Sequence, residues 1–177
     1  KKNPGKLSYG SFGNGTTAHF AGEMLKSAAG IFVVHIPYRG QGPALTDLLG
    51  GNIDMMFGNL PDFLPHIRSG KLQALGTTYL TRAPLAPDIP TVAEQGFPGF
   101  ETDSWYGIVA PASMSRETVE RIGAAINRAL EDAAVRKNLS ERGIETIGGS
   151  SARLGEHIRS EIAKYAKIVR ESGMQID

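Results

Sequence analysis

Three times between Leu7 and Gly70 a short apolar run ends in a glycine-bearing turn and passes into helix-spaced apolar positions. Alternation of this kind demands parallel βαβ units, with helices covering both faces of a sheet. The first unit reads Leu7-Ser8-Tyr9-Gly10-Ser11-Phe12-Gly13-Asn14-Gly15-Thr16-Thr17-Ala18-His19. A helix over 16–29 follows, with Phe20, Met24 and Ala28 on one face and Gly30 as its stop. In the second unit a strand over 33–36 leads through Tyr38-Arg39-Gly40-Gln41-Gly42-Pro43 into a helix carrying Leu45, Leu48 and Leu49. The third has a strand over 53–57, the turn Gly58-Asn59, and a short helix holding Phe63, Leu64 and Ile67. A fourth strand is expected over 72–78. The turns after the strands gather along one sheet edge, which is where open α/β sheets bind ligands.

The pattern changes beyond Thr78. Pro84, Pro87, Pro90 and Pro98 mark a connector with one helical turn at 91–95. A strand over 105–110 is closed by Pro111, with Trp105 and Tyr106 read as core anchors in preference to rings that stack on a ligand. Ser113 or Ser115 then caps a long helix striped by Val119, Ile122, Ile126 and Leu130. A short helix through Val135 and Leu139 ends at Gly143, and 144–147 reads as an edge strand. Ser151 caps a last helix with Leu154, Ile158, Ile162, Tyr165 and Val169 on one side. The division that follows is an α/β ligand-binding domain over 1–80, a connector or hinge over 81–104, and over 105–177 the C-terminal part of a second domain plus packing helices.

Function classes fall away quickly. Nineteen basic against 18 acidic residues give a formal charge of +1, so net charge carries no nucleic-acid footprint. No apolar run reaches the length of a membrane span, so direct membrane insertion is not expected. The absence of cysteine removes disulfides, thiolate zinc sites and cysteine nucleophiles, and suits either a cytoplasm or a periplasm. His19, His35, His66 and His157 share no i, i+4 spacing, so no metal is expected. His35 reads as a hydrogen-bonded core residue. Ser11 lies outside any Gly-x-Ser-x-Gly elbow and the carboxylates are scattered, so no catalytic residue emerges. The first loop lacks the Walker lysine, and Gly10, Gly13 and Gly15 do not fit Gly-x-Gly-x-x-Gly; no cofactor is expected.

What the loop does offer is a place for an anion. Gly13 and Gly15 give the backbone unusual freedom, Thr16 or Thr17 can cap the helix, and first-turn amides have no partner inside it. Such a helix start attracts carboxylates. His19 sits one turn on, suited equally to helix packing or ligand contact. Tyr38, Gly40 and Asn59 join the candidates by their place at strand ends.

Longer motifs carry a resemblance. Ser8-Tyr9-Gly10-Ser11 leading through Gly15-Thr16 to His19, and Pro37-Tyr38-Arg39-Gly40 with Pro43-Ala44-Leu45-Thr46-Asp47-Leu48-Leu49-Gly50-Gly51, occur in order. Ser69-Gly70-Lys71-Leu72-Gln73-Ala74-Leu75 and Ile89-Pro90-Thr91-Val92-Ala93-Glu94-Gln95-Gly96-Phe97-Pro98-Gly99-Phe100-Glu101 follow. Together they resemble the Bug (Bordetella uptake gene) family, the receptors of tripartite tricarboxylate transporters. The resemblance implies an α/β fold of the type II periplasmic-binding-protein kind: two domains of parallel sheets flanked by helices, closing over a small carboxylate. It implies a periplasmic location and delivery of the acid to the membrane components of the transporter. Carried onto this chain, the carboxylate loop is Ser11, Gly13, Asn14, Gly15, Thr16 and Thr17, with His19 behind it. Family members have a signal peptide and further sequence before the Ser-Tyr-Gly-Ser strand, so the N-terminal part of one domain is expected to be missing here. Apolar surface around 105–111 is then left open, and either self-association or poor behaviour of the isolated fragment is expected. Two other functions fit a two-lobed α/β chain: the effector-binding domain of a transcription regulator, and an enzyme acting on a carboxylated metabolite.

Overall fold

A computed structural model describes residues 1–174; the last three residues of the 105–177 segment lie outside the described residues. The chain divides into two compact units: Lys1–Ser104 with the chain from Tyr165 onward, and Trp105–Lys164.

The first unit is the expected α/β arrangement. Strands β1 (Ser8–Ser11), β2 (Val34–Pro37) and β3 (Met55–Met56) form a parallel sheet in the order β2-β1-β3. Helices α1 (Thr17–Ala29), α2 (Gln41–Leu49) and α3 (Leu60–Arg68) each begin just after a strand. From β1 the chain crosses to one neighbour through α1, then through α2 to the neighbour on the other side. Right-handed crossovers in opposite directions put α1 and α2 on opposite faces, and the strand ends splay apart where the direction reverses.

Strand alternation sorts β1 cleanly. Tyr9 is fully buried under α1, where its hydroxyl donates to Glu23 Oε1 at 2.8 Å. The approach depends on Gly22, because a Cβ there would lie 2.1 Å from Tyr9 Cε2. Gly10 faces the other way, against Ile53, Tyr38 and Met56. Phe20 on α1 meets the ring of Tyr165, 4.3 Å between centroids.

No strand forms over 72–78. Only Thr77 bridges to Thr91, and the Gln95 side-chain amide donates to Leu75 O at 2.9 Å, taking a carbonyl that a neighbouring strand would otherwise use. The expected helical turn is a short 3₁₀ segment, Ala93–Gln95. A reciprocal capping box precedes it: Thr91 N donates to Glu94 Oε2 at 2.7 Å, and Glu94 N donates to Thr91 Oγ1 at 3.0 Å.

In the second unit α4 (Arg116–Glu131) starts at Ser115, whose hydroxyl accepts from Thr118 N, and α5 (Ala133–Glu141) at Asp132, which accepts from Ala134 N and Val135 N. The last helix, α6 (Ser151–Ser172), runs from this unit into the first. Ser150 rather than Ser151 caps it, accepting from Arg153 N at 3.2 Å. Neither 105–110 nor 144–147 forms a strand, because among the described residues no partner strand lies alongside. Trp105 packs edge-on against His157 at 4.8 Å, but Tyr106 is 75% exposed and is no core anchor.

Candidate carboxylate site at the start of α1

Ser11 ends β1, the centre strand, so the loop that follows opens at the edge between β2 and β3. Gly13 (φ 140°) and Gly15 (φ 69°) take conformations that side-chain-bearing residues resist, folding the loop back over β1. Thr16 is the N-cap of α1, yet its hydroxyl donates back to Gly13 O at 2.7 Å and makes no cap bond to the first turn. The Thr16 side chain therefore leaves the N-terminal amides of the helix uncapped, at the positive end of its dipole.

Not every amide in the loop is free, contrary to what the spacing alone suggests. Gly13 N donates to Ser11 Oγ at 3.2 Å, and Gly15 N donates to His19 Nδ1 at 3.2 Å. The loop satisfies these donors internally because their acceptors are held just beneath it. Ser11, fully buried, lies 2.7 Å from His35 Nε2. The imidazoles of His19 and His35 stack at 3.9 Å, and Tyr9 stacks on His35 at 4.8 Å. Burial holds the pKa of His19 below its ordinary value, with Lys26 adding to the effect and Glu23 opposing it. Burial and the neighbouring His19 bring His35 down to about 4. Below them Glu23, 5% exposed, takes both carboxylate oxygens to Lys26 Nζ at 2.8 Å. Burial and Glu23 together push the Tyr9 hydroxyl well above its ordinary pKa.

Ser11, Gly13, Gly15, Thr16, Thr17 and His19 thus form one interlocked structure, with Asn14 at its exposed tip. Thr17 Oγ1 pairs with Ser104 Oγ at 2.8 Å, fixing the first helical turn to the far end of the connector. The Tyr38 backbone lies beside the loop, its N–H donating to Ser11 O at 3.0 Å. Its hydroxyl turns instead to Asp47 Oδ2 at 2.8 Å, and this bond raises its pKa. Gly40 is the N-cap of α2, again without a side-chain cap. The Asn59 amide donates to Gln41 Oε1 at 2.8 Å, and Gln41 also reaches Asp62, tying the starts of α2 and α3 together. Gln41 and Ser104 carry no local sequence signal for these roles, since both depend on contacts between distant segments. His35 could be placed only once its register opposite Tyr9 was known.

Among the described residues no group of three or more histidines, cysteines or acids is placed to hold a metal, and no helix is long and apolar enough to cross a membrane. What the geometry offers is a set of oriented donors at a sheet edge.

Over 172 residues the chain is 40% identical to the UPF0065 protein in the tcbD-tcbE intergenic region of Pseudomonas sp. (strain P51), spanning 97% of this chain and 51% of the relative. It superposes with a TM-score of 0.89 on R. palustris Rpa4515 with adipate, at 32% identity, covering 98% of this chain and 58% of that one. On MatC from Rhodopseudomonas palustris with bound malate the TM-score is 0.82 at 28% identity, with 93% and 57% covered. The chain therefore spans about half the length of these proteins. The pattern of the tripartite tricarboxylate transporter family receptor, TctC, matches residues 1–174, and this places the chain in the TctC family.

Proposed function

We propose that this chain supplies one wall of a receptor that captures a small dicarboxylate in the periplasm and hands it to the membrane components of a tripartite tricarboxylate transporter. The observation that carries this reading is the uncapped first turn of α1, held by an internally bonded loop at the point where the strand order reverses. An anion there is met by oriented amides at little reorganisation cost. Adipate and malate in the two structural relatives support a dicarboxylate as the class of ligand. Capture needs no bond-making, and the reading assigns no catalytic group.

Each charge-assisted hydrogen bond contributes about 1.5–3 kcal/mol, and the helix terminus adds about 0.3–1. Three or four such contacts, less the freedom lost on binding, correspond to micromolar affinity as an order of magnitude. Isothermal calorimetry against adipate, malate, succinate, citrate and aspartate tests the reading. Saturable binding of at least one dicarboxylate supports it. Heats no larger than those for an uncharged diol of matched length contradict it.

A further inference from the structure

We propose that His19 and His35 are positioning residues of the carboxylate loop: a stacked imidazole pair that turns the Gly15 N–H inward and leaves the anion to the first-turn amides of α1. The inference rests on the receptor reading for its ligand but stands on geometry of its own.

The Gly15 N–H donates to His19 Nδ1. An imidazole accepting at Nδ1 carries its proton on Nε2, so the bond exists only while His19 is neutral in that tautomer. Protonation sets two donors against each other and expels the Gly15 amide. His35 is held differently. Ser11 Oγ accepts from Gly13 N and has a single proton to give, either to His35 Nε2 at 2.7 Å or to Gly13 O at 3.1 Å. If His35 takes up a proton, that pair reverses without breaking, so the loop is sensitive to His19 and tolerant at His35.

The His19 ring is faced by His35 from β2, with Glu23 and Lys26 along α1 itself; Tyr9 of β1 stacks on His35 and donates to Glu23. Glu23 Oε1, 3.9 Å from His19 Nε2 and also engaged by Tyr9 and Lys26, favours a proton on the ring but is outweighed by burial. The second imidazole, stacked at 3.9 Å, disfavours a proton on either ring. Burial and Lys26 act in the same direction.

The test uses the whole chain with adipate as probe. Nitrogen shifts of the imidazoles are expected to show His19 protonated at Nε2 only at neutral pH. Hydrogen-exchange protection of the Gly15 amide is expected to vanish in step with His19 protonation. His19→Phe, which has no acceptor, is expected to weaken adipate binding roughly three- to tenfold, the worth of one hydrogen bond. His19→Asn places Oδ1 where Nδ1 stood and is expected to restore part of that loss. On acidification the wild-type affinity is expected to fall relative to His19→Asn, a ratio from which the titration of adipate cancels. A proton on Nδ1, or Gly15 protection independent of His19, overturns the proposal. So does a wild-type affinity that rises against His19→Asn at low pH, which would make His19 a direct cationic ligand. If no form binds adipate, the dicarboxylate reading fails, and the nitrogen shifts and Gly15 protection still decide the arrangement of the pair.

Discussion

At Gly15 the backbone sits at φ 69°, and its amide is spent on His19. A β-branched residue there must leave that region and carry the loop with it. Gly15→Val is expected to abolish dicarboxylate binding while far-UV circular dichroism stays close to wild type; unchanged affinity would remove this loop from the site. His35 gives a pH signature of its own. Its folded-state pKa, about 4, lies below the ordinary 6.5. Above 6.5 neither the folded nor the unfolded chain holds the extra proton. Between 6.5 and about 4 only the unfolded chain takes it up, so stability falls as the pH drops through that window. Denaturation midpoints followed across this range are expected to decline more steeply for wild type than for His35→Gln. Parallel declines would show that the ring is not held neutral by the fold.

The elements divide by whether their determinants are local. The strand–turn–helix repeats before Gly70, the stop at Gly30 and the turn at 91–95 were legible, because glycine, apolar spacing and a Thr-x-x-Glu cap act within a few residues. The stretches 72–78, 105–110 and 144–147 carry strand-like composition and form none. A strand exists only as a pair, and composition does not supply the partner. In the site the glycine loop was visible as a helix start, whereas the internal use of its Gly13 and Gly15 amides was not. That use depends on Ser11, His19 and His35 meeting across two strands and a helix. Contact between α1 and β1 rests on one missing side chain. Gly22→Ala puts a carbon into the space of the Tyr9 ring and is expected to cost about 1–3 kcal/mol, read by chemical denaturation. A neutral result would mean that α1 shifts freely on the sheet.

On the scale of the molecule the two units differ in how much they bury. The first has Tyr9, Phe20, Ala44 and Ile53 inside. In the second no residue of α4 or α5 is buried, and Ile108, Val109, Ile147 and Ile162 are each at least 64% exposed. Apolar surface of that extent on a small unit favours association. Light scattering on this chain is expected to give a mass above 18.9 kDa that falls on dilution; a monomer at all concentrations would contradict this.

The most direct measurement is a crystal structure of the chain with adipate bound. One carboxylate of the acid is expected within about 3 Å of the first-turn amides of α1, with the Gly15 N–H still on His19. A carboxylate seated elsewhere, with the loop at 11–17 unchanged and unengaged, would contradict it.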